Sequence, residues 1–180
     1  MIRLWITLAL LSGGCWAFSY KDCGKKDRTI VFDSLKLQPS PIPLPGEVKV
    51  GVKVTLSEDI PTEAKVKLKM VRRIRVFGQP VDIPLPCMGD VGSCTWTVCP
   101  YLKEHEDRAC PFFPADKKCE CPIAAGTYEG KEVTVPMADF GTLMNQMIAG
   151  EYAFEFRVIH KKKELGCLKM DLELKAKKKN

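Results

Sequence analysis

The residues of this chain with the widest range of possible chemistry are its nine cysteines. A cysteine can be a nucleophile beside a histidine, a metal ligand, or half of a disulfide. The chain has two histidines, His105 and His160, and each lies in a charged run that predicts a surface position. The G-x-S-x-G motif of serine hydrolases is missing, because Gly92-Ser93-Cys94 lacks the second glycine.

Clustered carboxylates are a second possible source of chemistry. Glu104, Glu106 and Asp107 lie close together, but on a polar segment with no apolar neighbours that would raise a carboxyl pKa. This pattern predicts a solvated loop. Together with the histidine positions, it predicts a protein without catalytic residues.

Metal binding is the remaining use of the cysteines. Cys119 and Cys121 are two residues apart, but paired C-x-x-C elements of a zinc site are missing. Disulfides are the better account in an oxidising compartment, and we expect these two cysteines to pair with different partners. The sequence therefore predicts neither a metal site nor a cofactor.

The N-terminus predicts that compartment. Arg3 precedes an apolar run from Leu4 to Leu11, and small residues before Phe18 suit cleavage, so residues 1–17 are predicted to be a signal peptide. The run is much shorter than the ~20 residues that span a bilayer. We expect residues 18–180 to form a single domain in the secretory pathway. Loss of Cys15 leaves an even number of cysteines, which is typical of a disulfide framework.

Most of the mature chain alternates between apolar and polar residues, as in Val48 to Leu56, Val66 to Met70, Tyr152 to Val158 and Leu168 to Leu174. Such alternation predicts antiparallel strands with one wet face. Two sheets with facing apolar sides form a β-sandwich, so the predicted fold is all-β.

Other segments depart from this alternation. We expect the proline-rich stretches Pro39–Gly46 and Pro80–Gly92 to be extended connections and not strand interiors. Lys161 to Lys163 should form a hairpin turn. Cys87 to Cys121 holds six cysteines with weak alternation, which predicts a loop-rich flap braced by disulfides.

An apolar stripe from Met137 to Ile148 has helical spacing, which predicts a short amphipathic helical turn or loop between strands. The usual place of such a stripe is the core. Three methionines in it also suit a surface that accepts varied apolar partners. Val76-Phe77-Gly78 is a second candidate surface, and burial of Phe77 in a turn is an equal alternative.

The formal charge of +6 is concentrated at Lys161–Lys163 and in the tail Lys175–Lys179. A solvated face is the ordinary interpretation. Transient attraction to an anionic membrane is the more specific one, worth about 1 kcal/mol per basic residue near the surface. A secreted chain without a recognition motif is not expected to bind nucleic acid.

The cysteines and their neighbours resemble the ganglioside-activator proteins of the ML (lipid-recognition) family over nearly the whole mature chain. The similar motifs are Asp22-Cys23, Pro41-Ile42, Pro45-Gly46, Leu85-Pro86-Cys87, Gly92-Ser93-Cys94, Cys99, Cys110, Cys119-Glu120-Cys121-Pro122, Gly126-Thr127-Tyr128, Gly150-Glu151-Tyr152 and Leu165-Gly166-Cys167.

The resemblance implies a two-sheet antiparallel β-sandwich opened into a cup with an apolar cavity. It implies four disulfides, which join Cys23 to Cys167, Cys87 to Cys94, Cys99 to Cys121 and Cys110 to Cys119. It also implies a non-catalytic activator that lifts a glycosphingolipid from a membrane, presents it to lysosomal β-hexosaminidase A, and carries phospholipids.

We predict which residues would serve such a carrier. The expected cavity lining is Val50, Val52, Val54, Tyr152, Phe154 and Phe156. The expected membrane-contacting rim is Val76, Phe77, Phe140, Leu143, Met144, Met147 and Ile148. Because the chain has no Asn-x-Ser/Thr sequon, both a lysosomal and an extracellular location stay open.

Two rival functions differ from a lipid carrier in what they require of the chain. A secreted disulfide-rich module that binds a protein and carries no lipid would have a filled core and a flat, charged interface. A phospholipase-like enzyme would need an activated nucleophile, which these residues do not supply.

Overall fold

The structure is a computed structural model that describes residues 18–89 and 91–177. The predicted signal peptide and the last three residues of the chain, which include the end of the basic tail, lie outside the described residues. The strands are β1 (Ser19–Asp22), β2 (Ile30–Gln38), β3 (Ile42–Leu44), β4 (Gly46–Leu56), β5 (Lys65–Val76), β6 (Gln79–Pro84), β7 (Thr95–Thr97), β8 (Gly126–Met137), β9 (Gly150–His160) and β10 (Lys163–Ala176). The helices are α1 (Val98–Glu104), α2 (Glu106–Ala109) and α3 (Thr142–Ile148), with a 3₁₀ turn at Cys110–Phe112.

The strands form two sheets. The smaller sheet has the order β2-β4-β8 and is antiparallel throughout. The larger sheet has the order β1-β10-β9-β5-β6, with β3 added beside β10 and β7 added beside β5. The all-β, two-sheet fold is therefore as predicted. One pair differs from the antiparallel prediction, because β3 runs parallel to β10.

The outward face of the larger sheet is charged, as the alternation predicted. Arg73 donates to Asp82 at 3.1 Å and to Asp171 at 3.3 Å. Arg157 is paired with Glu155 and Glu164, and Lys169 lies 3.1 Å from Glu155. Ion pairs that are mostly exposed, such as that of Lys169, contribute about 0–1 kcal/mol, whereas the pair of Arg157 with Glu164, which is 10% exposed, is partly buried.

The two sheets pack closely at one end of the molecule, which we call the closed end. A buried cluster there joins both sheets through Ile30, Leu56, Ile60, Ala64, Tyr128 and Leu165. Val54 and Phe32 of the smaller sheet and Val158 of the larger sheet pack against it. Because Val54 and Val158 belong to the alternating apolar sets, the two apolar faces point toward each other.

The four disulfides join the pairs that the resemblance implied. Cys23–Cys167 connects the residue after β1 to β10 across a sequence separation of 144 residues. Cys87–Cys94 closes the loop beside β5. Cys99–Cys121 and Cys110–Cys119 brace the helical segment, so Cys119 and Cys121 have different partners, as expected.

Two proline-rich stretches contain strands, which corrects the prediction that both are only extended connections. β3 lies within Pro39–Gly46 and pairs with Leu174–Ala176. β6 begins at Gln79, one residue before Pro80–Gly92, and pairs with β5 even though it contains Pro80 and Pro84. Both strands have a neighbour on one side only, and an edge strand tolerates a missing N–H on its free side.

The flap from Cys87 to Cys121 is more regular than predicted, because it contains β7, α1, α2 and the 3₁₀ turn. Helices of four and seven residues are too short for a periodicity to be read from sequence. The other turn and helix predictions are confirmed. Lys161 and Lys162 form the β9–β10 turn, and α3 occupies the second half of Met137–Ile148.

We predict that Gly166→Ala lowers the free energy of unfolding by about 1–3 kcal/mol, the usual cost of overpacking. A Cβ at Gly166 would lie 2.7 Å from Cβ of Ile30, where the two sheets meet. Urea denaturation measures the change. Gly51→Ala is the matched control, since its Cβ would meet nothing closer than Cβ of Lys36 at 3.6 Å. Equal midpoints for both variants would contradict this account of the closed end.

Candidate functional site

Beyond the closed end, the two apolar faces are only partly covered. Val50, Val52 and Val54 of β4 are half-buried, although all three belong to the inward face of the smaller sheet. Phe154 and Phe156 of β9 are also half-buried on the facing sheet, with ring centroids 6.3 Å apart and planes 12° from parallel. A filled sandwich would bury these side chains completely. The interior is therefore an open apolar cup.

An apolar cavity of 320 Å³ lies on the inward face of the larger sheet. Its lining comes from β5, β7, β9, the helical flap and the loop before β8, and consists of Val66, Leu68, Trp96, Val98, Tyr101, Leu102, Ala109, Ile123 and Phe156. Its size is at the lower end of ligand pockets, which span roughly 300–1,000 Å³. Of the six predicted lining residues, Phe156 is the one that lines this cavity.

Tyr152 occupies a different position from the other predicted lining residues. Its side chain is 5% exposed, and its hydroxyl donates to the carbonyl of Ile148 at 2.5 Å. Burial raises the pKa of this phenol, while the nearby positive charge of Arg72 opposes the rise. Tyr152 thus ties the end of α3 to the sheet, at the base of the cup's mouth.

The mouth of the cup lies opposite the closed end. β9 begins at Gly150, immediately after α3, and Glu151 pairs with Arg73 of β5. β5 then continues to Val76 and turns back into β6. The β5–β6 hairpin and α3 therefore extend from the same end of the larger sheet.

The tip of the hairpin exposes an aromatic residue. Phe77 is fully exposed and has φ of +50°, beside Gly78 at +79°. A two-residue turn with both φ values positive matches the twist of a hairpin, but it strains a residue other than glycine, asparagine or aspartate. This Phe77 is not buried in the turn, so the alternative of a buried turn aromatic is wrong.

Helix α3 turns its apolar stripe outward, as the rim prediction requires and not as the core alternative would. Its one polar buried residue is Asn145, which is 3% exposed. Its apolar stripe faces outward, with Leu143 at 74% exposure and Phe140, Met144 and Met147 also exposed. Ile148 is half-buried. The stripe is thus a surface. All seven predicted rim residues lie at the mouth, and six of them are exposed while Ile148 is half-buried.

Asn145 can be buried because its polar atoms are satisfied. Its Oδ1 accepts from the N–H of Phe140 at 3.1 Å, and its Nδ2 donates to Asp139 at 2.8 Å. Bonds from the Gly141 N–H and from Asn145 hold the pKa of the Asp139 carboxyl below its ordinary value. Because the folded state lowers this pKa, the two hydrogen bonds to the Asp139 carboxylate stabilise the fold above the ordinary carboxyl pKa. That stabilisation is lost as the pH falls through the lowered pKa of the folded state.

The structure adds apolar residues that sequence reasoning missed. Val81 and Ile83 of β6 extend the inward face of the larger sheet at the mouth and are partly exposed. Met88 and Val91, in the loop closed by Cys87–Cys94, are more exposed still. The alternation from Gln79 to Ile83 could have predicted that Val81 and Ile83 share one strand face, but the flanking prolines argued against a strand. Met88 and Val91 carried none.

The two histidines have local contacts, and the clustered acids are exposed. His105 stacks edge-on against Tyr101, with centroids 4.3 Å apart, between α1 and α2. Nε2 of His160 lies 3.7 Å from Glu63, far along the chain from His105. Glu104, Glu106 and Asp107 are exposed. Across residues 18–89 and 91–177, no three acidic, cysteine or histidine residues are grouped as metal ligands, and no helix has the length and apolarity to cross a membrane.

The ML-domain profile matches residues 17–174, so the chain belongs to the ML-domain family. A relative named ganglioside GM2 activator, from Mus musculus, is 28% identical over 166 residues, which are 88% of this chain and 82% of that protein. A second relative of the same name, from Macaca fascicularis, is 30% identical and covers 89% of this chain and 84% of its own. A solved structure of a Niemann-Pick type C2 protein from Japanese carpenter ant has a TM-score of 0.46 and 17% identity, over 87% of this chain and 99% of that one.

We predict that Asn145→Ala frees the segment 139–149 without unfolding the two sheets. The substitution removes the acceptor of the Phe140 N–H and the donor to Asp139. Hydrogen exchange should show faster exchange in that segment alone. Gln146→Ala is the control, because Gln146 is exposed on the same helix. Equal protection of the segment in both variants would show that Asn145 does not hold it.

Proposed function

We propose that this protein is a lipid carrier that extracts a glycosphingolipid of the ganglioside class from a membrane and holds its acyl chains in the cup. Phospholipids are a second cargo in this proposal. The observation that supports this proposal most strongly is the inward apolar surface of both sheets. This surface is half-buried and continues to a mouth with exposed apolar side chains. The relatives named ganglioside GM2 activator support the class of lipid.

The physical task explains why such a surface is needed. Two acyl chains of about fifteen methylenes each cost about 24 kcal/mol to expose to water, at ~0.8 kcal/mol per methylene. Contacts to a sugar head group cannot offset a cost of that size. A carrier must supply apolar surface of similar area, and the inward faces that include Val50, Val52, Val54, Phe154 and Phe156 would provide it.

The rim is proposed to touch the bilayer first. Its proposed members are Val76, Phe77, Phe140, Leu143, Met144, Met147 and Ile148. Exposed apolar patches of this kind mark sites of protein or membrane contact. Methionine side chains are flexible and suit lipid chains of different shapes. Lys175 and Lys177, at the end of β10, would add attraction to an anionic surface.

The protein is proposed to serve an enzyme and not to be one. In this scheme it presents the sugar of the bound lipid to β-hexosaminidase A, while the acyl chains stay in the cup. The contacts of His105 with Tyr101 and of His160 with Glu63 agree with a non-catalytic role. The disulfides suit an oxidising compartment, so the proposed location is the lysosomal lumen or the extracellular space.

The open interior also weighs against the rival function. A secreted module that binds only a protein has no need of a half-buried apolar interior, and the fold would gain stability by filling it. A protein partner on the rim alone would leave the cup unexplained.

We predict that the double variant Met144→Glu and Met147→Glu transfers lipid between vesicles at least tenfold more slowly than the wild type. Two carboxylates on the exposed face of α3 would be costly to insert among acyl chains, at several kcal/mol in total. Transfer of a fluorescent ganglioside between phosphatidylcholine vesicles measures the rate.

The control for this prediction is Gln146→Glu, which adds a charge to an exposed residue of α3 outside its apolar stripe. Circular dichroism should show that all variants keep the strand content of the wild type. Unchanged transfer by the double variant would remove α3 from the membrane-contacting rim.

A further inference from the structure

Arg72 is a cation on the apolar side of the larger sheet. It pairs with Tyr152 in the β5–β9 register, and residues directly opposite in an antiparallel pair share a face. Ile83 lies opposite it on β6. Along β5 it continues the inward row of Val66, Leu68 and Met70. An arginine at this position needs an explanation, because every other residue of that row up to it is apolar.

The guanidinium of Arg72 is poorly satisfied by the protein. One bond is present, from Nη2 to the carbonyl of Ala149 at 2.9 Å. Its Nε is buried and has no partner among the residues described. Arg72 forms no ion pair with a described carboxylate, whereas the next residue, Arg73, is bound by both Asp82 and Asp171 on the outward face. Arg72 is half-buried, and a partly desolvated cation without an anion is costly, so the site favours an anion from outside the chain.

The position of Arg72 relative to the cavity suits an amphiphile. Leu68 lines the 320 Å³ cavity, and Arg72 lies four residues further along the same strand. At ~3.3 Å per residue, the separation is about 13 Å. The path passes Met70 and Phe154, which are half-buried and face each other across β5 and β9. An acyl chain that begins near Arg72 would therefore run over apolar side chains into the cavity.

We propose that Arg72 binds the anionic group of the carried lipid, so that the protein favours lipids with a sulfate, phosphate or carboxylate near their acyl chains over neutral lipids with the same chains. This inference rests on the proposed function. Arginine suits the role because its planar fork donates two parallel hydrogen bonds to an oxyanion. Arg72 is thus a specificity-determining residue at the mouth, beside the α3–β9 junction that it also contacts.

The experiment compares two lipids that differ in a single group. Phosphatidylcholine vesicles carry equal amounts of galactosylceramide and its 3-sulfate with identical chains, and mass spectrometry measures the transfer of each to acceptor vesicles. The wild type should favour the sulfated lipid. Arg72→Gln should lower the ratio of sulfated to neutral transfer by roughly tenfold, the effect of losing one charge-assisted interaction.

Two variants separate recognition from a structural role. Arg72→Lys keeps the charge but loses the fork, and its ratio should lie between those of the wild type and Arg72→Gln. If Arg72→Gln is unstable, a lower ratio of sulfated to neutral transfer in Arg72→Lys than in the wild type tests the inference instead. Lys69→Gln removes the same charge from an exposed position on the outward face of β5 and should keep the wild-type ratio.

The outcomes are distinct. Equal loss of both lipids in the Arg72 variants would mean that Arg72 only anchors the α3–β9 junction, and would overturn the inference while the proposed carrier function stands. No transfer of either lipid, nor of the fluorescent ganglioside, by the wild type would overturn the proposed function itself. A wild type that transfers the sulfated and the neutral lipid at equal rates would also overturn the inference.

Discussion

Close packing of Ile30 against the backbone of Gly166 fixes the two sheets to each other at the closed end, where the buried cluster lies. An interior left open toward the mouth cannot supply the apolar burial of a filled core. The closed end must therefore provide stability for the whole molecule. The Cys23–Cys167 disulfide lies beside it, and the adjoining Asp22 accepts hydrogen bonds from Arg28 at 3.0 Å and from the Phe32 N–H at 3.0 Å. These contacts link β1 of the larger sheet to β2 of the smaller one.

The other three disulfides serve the same need at the edge of the larger sheet. They hold the loop and helices that cover β5 and line the cavity, and a disulfide typically adds about 2–4 kcal/mol. At the mouth, polar bonds take the place of apolar burial. Asn145 and Tyr152 fix α3 from within, which leaves its leucine and methionines free to face outward. The molecule thus keeps apolar surface available inside and at the rim without losing its fold.

Sequence patterns predicted the parts of this structure that depend on regular alternation. The long strands β4, β5, β9 and β10 followed from their period of two, and the disulfide pairs followed from the family resemblance. The short edge strands β3 and β6 were missed because proline lacks the N–H that a strand interior needs. Proline is tolerated where that N–H would face away from the neighbouring strand, and the sequence does not show which strands lie at an edge. The orientation of α3 could not be read from its stripe, since periodicity identifies an apolar face but not what covers it. Arg72 was missed because its register against Tyr152 exists only once β5 and β9 are paired.

The most direct test of the central claim is native mass spectrometry of the purified protein after incubation with vesicles of mixed gangliosides and phospholipids. The account predicts complexes with one two-chain lipid bound, and the bound masses would rank the ligands. A protein recovered only without lipid, under conditions gentle enough to preserve the fold, would contradict the carrier function and favour a protein-binding module.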